Sequence, residues 1–156
     1  MHEQTVSVAP IVKSVVVPQA PKDAFRLFTE GMATWWPLRT HSITDPEPET
    51  AVLEPHVGGR LFERTSAGDE LLWGTVTIWE PPDRLAYTWH PGRGEETAQE
   101  VEIRFLPEGE GTRLELEHRG WERAPEKRSR YDEGWEIVLG RYVEAAAIGP
   151  GTRSGT

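Results

Sequence analysis

The sequence predicts an α+β fold in which a curved antiparallel sheet of about seven strands wraps around one long C-terminal helix. Three observations carry that expectation. Segments with a two-residue apolar period follow one another across short turns, which implies antiparallel pairing. The clearest of them are dry on one face only. A single long segment near the C-terminus has a helical period and a one-sided bulky stripe.

Taking the elements in order, Ile11 to Val17 is β-branched and apolar, and Pro18 ends it, as expected of a strand. Pro21 suits the first turn of a helix whose apolar face is Ala24, Phe25, Leu27 and Phe28. Gly31 breaks that helix, and Met32 to Trp36 forms a second, short one before Pro37. Leu38 to Pro48 is polar and proline-containing, a loop. Strands are then expected at Ala51 to Glu54, Arg60 to Thr65, Leu71 to Glu80, Leu85 to His90, Gln99 to Leu106 and Thr112 to His118. Gly58-Gly59, Ala67-Gly68-Asp69, Pro81-Pro82-Asp83 and Pro91-Gly92 supply the turns between them.

The last two strands alternate most cleanly. Val101, Ile103 and Phe105 share one face, and Leu114, Leu116 and His118 share another, with charged residues between them. The long helix begins near Pro125 or a few residues later and runs to about Ala147. Its stripe is Tyr131, Trp135, Val138, Leu139, Tyr142 and Ala146. One domain spans residues 8–147, with residues 1–7 and 148–156 as flexible termini.

Composition narrows the function. The hydrophobic fraction is 37%, low for a globular chain, so the seven Trp residues must supply much of the core. A net charge of −9 disfavours nucleic acid and anionic membrane surfaces as partners. The absence of Cys removes disulfides, thiolate metal sites and cysteine nucleophiles. His2, His41, His56 and His90 are scattered, without the spacing of a zinc enzyme, so no metal and no cofactor is expected. No signal peptide or membrane span is visible, and the expected setting is the cytoplasm.

A curved sheet and a straight helix diverge along their length, so a space should open between them, lined by aromatic and aliphatic side chains. The expected partner is a small hydrophobic or aromatic molecule, bound by a monomer or homodimer. His118 ends a strand whose Leu114 and Leu116 face that space, and it is a candidate hydrogen-bond partner or proton acceptor. Its bland alternative is a buried, satisfied histidine or a strand-end residue at the rim. Trp35 and Trp36 are candidate stacking surfaces at a pocket mouth, or plugs of the sheet's open end. Tyr87 and Trp89 alternate on one side of their strand, as core or as lining, and Tyr87 needs a hydroxyl partner if buried. Trp135 and Leu139 complete the candidate set from the helix. On Arg60 to Thr65, Leu61 and Phe62 are adjacent, so the face of Glu63 is undetermined. A solvated strand charge is the commoner outcome there, and an acid or base held in a cavity the rarer one.

The chain resembles the SRPBCC superfamily, the helix-grip fold of START domains and birch-pollen-allergen-like proteins, and within it the branch related to the activator of the heat-shock-protein-90 ATPase. The resemblance runs from about Val8 to Ala147. It rests on Ala24-Phe25-Arg26-Leu27-Phe28-Thr29, Trp35-Trp36-Pro37, Val57-Gly58-Gly59-Arg60, Trp73-Gly74-Thr75-Val76 and Glu80-Pro81-Pro82-Asp83-Arg84-Leu85. Thr88-Trp89, Gly111-Thr112-Arg113-Leu114, Glu117-His118 and Gly134-Trp135 continue it. It implies the helix-grip fold. For function it implies a choice between a ligand-binding domain and an enzyme using acid–base chemistry of the cyclase, dehydratase or hydrolase kind. A co-chaperone role is disfavoured, because the activator's separate N-terminal domain has no counterpart at this length.

Overall fold

A computed structural model describes residues 9–36, 50–90, 98–123 and 125–152 of the 156-residue chain. The loop expected at Leu38 to Pro48 and the turn at Pro91-Gly92 lie outside these residues.

The elements are β1 (Ile11–Val17), α1 (Pro21–Thr29), α2 (Met32–Trp35), β2 (Thr50–Leu53), β3 (Arg60–Arg64), β4 (Glu70–Glu80), β5 (Arg84–Trp89), β6 (Gln99–Glu108), β7 (Gly111–Arg119) and α3 (Arg128–Thr152). All seven strands pair antiparallel in one sheet, in the order β1-β7-β6-β5-β4-β3-β2. The fold is the expected helix-grip arrangement. Strands β2 to β7 run as a meander, and β1 returns to lie beside β7.

The eleven-residue β4 bends the sheet. Its register with β3 slips between Leu61 and Phe62, and its register with β5 slips between Val76 and Ile78. Each slip adds an unpaired residue, which bends and twists the strand. Between the slips, Gly74 permits a close approach of β5: a Cβ there would sit 1.7 Å from the Thr88 carbonyl oxygen. Thr88 Oγ1 accepts the Thr75 backbone N–H at 2.9 Å, in place of a regular ladder bond.

The helices cover the concave face. Pro21 occupies the first turn of α1, where its missing N–H costs nothing. Phe25 and Phe28 turn inward onto Phe105 of β6, with ring centroids 5.1 and 6.0 Å away. Tyr142 of α3 donates its hydroxyl to the Ala24 carbonyl at 2.8 Å, fixing α3 against α1. Gln19 Nε2 donates to the Ala146 carbonyl, and Thr112 Oγ1 donates to the Gln19 carbonyl, which joins α3, the β1–α1 connection and β7. Lys13 of β1 reaches Asp132 and Glu136 of α3, each at 2.6 Å.

The residues Pro125–Lys127 form a 3₁₀ turn, and the α-helix proper starts at Arg128, within the expected range. At the other end α3 runs through Gly149-Pro150-Gly151 to Thr152, past the expected stop near Ala147. Gly149, Pro150 and Gly151 are poor helix formers, which is why the composition argues for an earlier end.

Candidate functional site

The inward face of β5 carries Leu85, Tyr87 and Trp89, all buried. Trp89 lies at the centre of a ring cluster. The Trp73 ring on β4 is 5.6 Å away, Trp36 after α2 6.0 Å, Tyr87 6.1 Å, and Tyr131 and Trp135 of α3 6.4 and 6.5 Å. Trp36 closes the group onto Trp73 at 5.0 Å and Trp135 at 6.2 Å. Four expected site residues, Trp36, Tyr87, Trp89 and Trp135, are thus one aromatic wall spanning sheet and helix. Trp35 stands one ring further in. It packs on Trp36, Phe28 and Tyr142 and donates its indole N–H to the Leu27 carbonyl at 2.9 Å. Leu139 is buried on the same stripe of α3.

His118 joins the wall on its β7 side and is fully buried. Trp135 Nε1 donates to His118 Nδ1 at 2.9 Å. An indole N–H can only donate, so Nδ1 accepts and the ring hydrogen sits on Nε2. Nε2 then donates to Gln99 Oε1 at 3.2 Å. Burial pushes the imidazole down to about 3, so it is neutral at physiological pH. Trp121 lies against the ring at 4.4 Å and donates its own N–H to the His118 carbonyl. Both ring nitrogens of His118 are therefore committed to protein partners.

Glu63 is the residue that pattern reading undervalued. The expectation of a solvated charge is corrected: Glu63 is fully buried, facing inward with Leu61. Its Oε1 accepts the Trp73 indole N–H at 2.7 Å. Phe62, on the outer face, is buried beneath the guanidinium groups of Arg60 and Arg64, 4.4 and 5.4 Å from its ring centre. Both faces of β3 are thus dry, and alternation gave no signal. The register with the neighbouring strands is what assigns the faces.

Polar groups on the wall fall into two classes. The indole N–H groups of Trp35, Trp73, Trp121 and Trp135 each have an acceptor, as does the hydroxyl of Tyr142. Trp89 Nε1 and Tyr87 Oη are buried and have no partner among the described residues. Burial raises the Tyr87 hydroxyl above its ordinary range, so it stays protonated and able to donate. An orphaned buried donor is uncommon, and here two stand two residues apart on one strand face.

Among the described residues, none of the buried side chains is a lysine or arginine, and no group of three or more His, Cys, Asp or Glu side chains could hold a metal ion. No described helix is long and apolar enough to cross a membrane. A groove of about 460 Å³ lies apart from the wall, between α1 and the end of β4, walled by Phe25, Arg26, Trp79 and Pro82. None of the expected site residues lines it.

Residues 19–146 match the family described as activator of Hsp90 ATPase homolog 1-like protein. The chain belongs to this family, within the SRPBCC superfamily. Among solved structures, this family member is 32% identical to an anthrahydroquino-γ-pyrone synthase, Txn09, over 90% of this chain and 99% of that one, with a TM-score of 0.61. It is 27% identical to CalC, a self-sacrificing resistance protein from Micromonospora echinospora, over 89% of this chain and 94% of that one, with a TM-score of 0.68. The Aha1 dimer from Colwellia psychrerythraea, 17% identical with a TM-score of 0.65 over 91% of this chain and 98% of that one, shares the fold. No functionally curated protein matches the chain.

Proposed function

We propose that this protein binds a small planar aromatic molecule between the concave face of the sheet and α3, against the wall formed by Trp36, Tyr87, Trp89 and Trp135. The observation that carries the reading is the pair of unpartnered donors within that wall. Leaving such groups unmet costs about 1–3 kcal/mol each, so a wall built only for packing would favour Phe or Leu there. Flat aromatic rings give stacking surface, and a few polar groups give orientation, which is the composition of small-molecule sites. Similarity to a synthase for a polycyclic aromatic product supports the same reading. The proposed setting is the cytoplasm, as a monomer or homodimer, without nucleic acid or membrane as partner.

A second reading, turnover in the same interior, is favoured by the similarity to that synthase and by the buried Glu63 carboxyl beside Trp73. The committed His118 ring argues against a role for it as the proton acceptor. Glu63 is the group such chemistry would use.

Native mass spectrometry of freshly purified protein tests the binding reading. A co-purifying small aromatic molecule, or recovery of one with 9-fluorenone added as a probe, is the expected result. A ligand-free spectrum that stays ligand-free with the probe would overturn it.

A further inference from the structure

The rings of Tyr87 and Trp89 are 6.1 Å apart, centre to centre, on the same inward face of β5. Each ends in a donor with no acceptor among the described residues. A flat hydrocarbon would leave both donors unmet. A ligand with an oxygen acceptor would satisfy one or both at no cost in ring stacking. The acceptor's charge is also constrained. The buried described side chains include the carboxyl of Glu63 and the neutral ring of His118, but no lysine or arginine. A carboxylate ligand would have to shed its water without a cation to receive it, which is costly.

We infer that Tyr87 and Trp89 are the specificity-determining pair of this site, selecting a neutral, carbonyl-bearing planar aromatic ligand, a ketone or quinone, over the hydrocarbon and the carboxylate of the same shape. This rests on the binding reading above. It adds which ligand chemistry is admitted and which two side chains decide it. Trp36, Trp73 and Trp135 supply shape and stacking, and they do not distinguish a ketone from its hydrocarbon.

Three probes isolate the carbonyl: 9-fluorenone, fluorene, and a fluorenone carboxylate. They share a three-ring outline. Equilibrium dialysis against the full chain gives a dissociation constant for each. Fluorenone is expected to bind about tenfold tighter than fluorene, the worth of one or two neutral hydrogen bonds, and tighter than its carboxylate. Tyr87→Phe and Trp89→Phe should each shrink the ratio of fluorenone to fluorene affinity several-fold, the ratio being the readout because Trp89→Phe also removes stacking surface that both probes share. Equal binding of fluorenone and fluorene, or an undiminished preference in both variants, would overturn the inference and leave the binding reading standing. If no probe binds, both fall. Thermal melting of ligand-free Tyr87→Phe gives a second measurement. Removing an unmet hydroxyl should hold or raise the melting temperature. A clear drop would mean that the hydroxyl already has a partner, and would overturn the inference too.

Discussion

Trp135 of α3 donates its indole N–H to Nδ1 of His118 on β7 across 2.9 Å, and both partners are buried. This bond couples the long helix to the last strand and, through His118 Nε2 and Gln99, to β6.

Trp135→Phe keeps most of the ring but leaves Nδ1 without a donor. The expected loss is about 1–3 kcal/mol, the cost of an unmet buried acceptor. Trp135→Ala also removes the ring and should cost about 3–5 kcal/mol. Urea denaturation of the two variants measures both. A Trp135→Phe variant as stable as the unsubstituted chain would mean that the bond to His118 contributes nothing beyond packing.

Stability should fall on mild acidification. The folded His118 titrates far below its ordinary value of 6.5, at about 3, so below pH 6.5 the unfolded chain takes up a proton that the folded chain refuses. The contribution of neutral His118 is therefore complete above pH 6.5 and is lost progressively as pH falls towards 3. The slope should be about 1 kcal/mol per pH unit below 6. Carboxyls held low by cation partners, such as Asp132 beside Lys13 and Glu102 among its arginines, act in the same direction at lower pH. The interval from pH 6 to 5 thus isolates the histidine. His118→Gln can still accept from Trp135, and it should flatten that interval. An unchanged slope in the variant would assign the dependence elsewhere.

Two glycine substitutions should act with opposite sign. Gly74→Ala drives a methyl group against the Thr88 carbonyl oxygen and must push β4 and β5 apart. A loss of more than about 2 kcal/mol is expected, with altered near-ultraviolet dichroism from the adjacent Trp73 and Trp89. Gly140→Ala, on an exposed turn of α3 with nothing within 4 Å, should gain up to about 1 kcal/mol. Calorimetric melting of both variants decides the matter. A neutral Gly74→Ala would remove the close approach as a constraint.

Most of the strands and helices were legible because they obey one period. Ile103 and Phe105, or Tyr131 and Trp135, announce a buried face without help from distant residues. The side of β3 was not legible, because cation–π cover lets Phe62 be dry on the outer face while Glu63 is dry on the inner one. His118 was legible as an inward residue. Its committed ring was not, since Gln99 and Trp135 reach it from β6 and α3 and only the folded register joins them. Tyr87 and Trp89 were legible as candidates, but that their donors are unmet was hidden for a different reason. An aromatic with an unmet donor has the same sequence signature as one with a met donor, and the difference appears only when every neighbour is in place.

The placement of β1 at the sheet's edge bears on how the chain folds. Strands β2 to β7 can form hairpin by hairpin, each closing a short loop. β1 has to wait for β7, whose residues pair with it from the opposite end of the sequence, Ile11 with His118 and Val17 with Thr112. Closing that long loop costs chain entropy before its contacts repay anything, so β1 should dock late. Until then Leu114 and Leu116 lie on an unprotected edge, open to strands of other molecules. Pulsed amide exchange during refolding should show β1 protected after β4 to β6, and low chain concentration should favour recovery of the native fold.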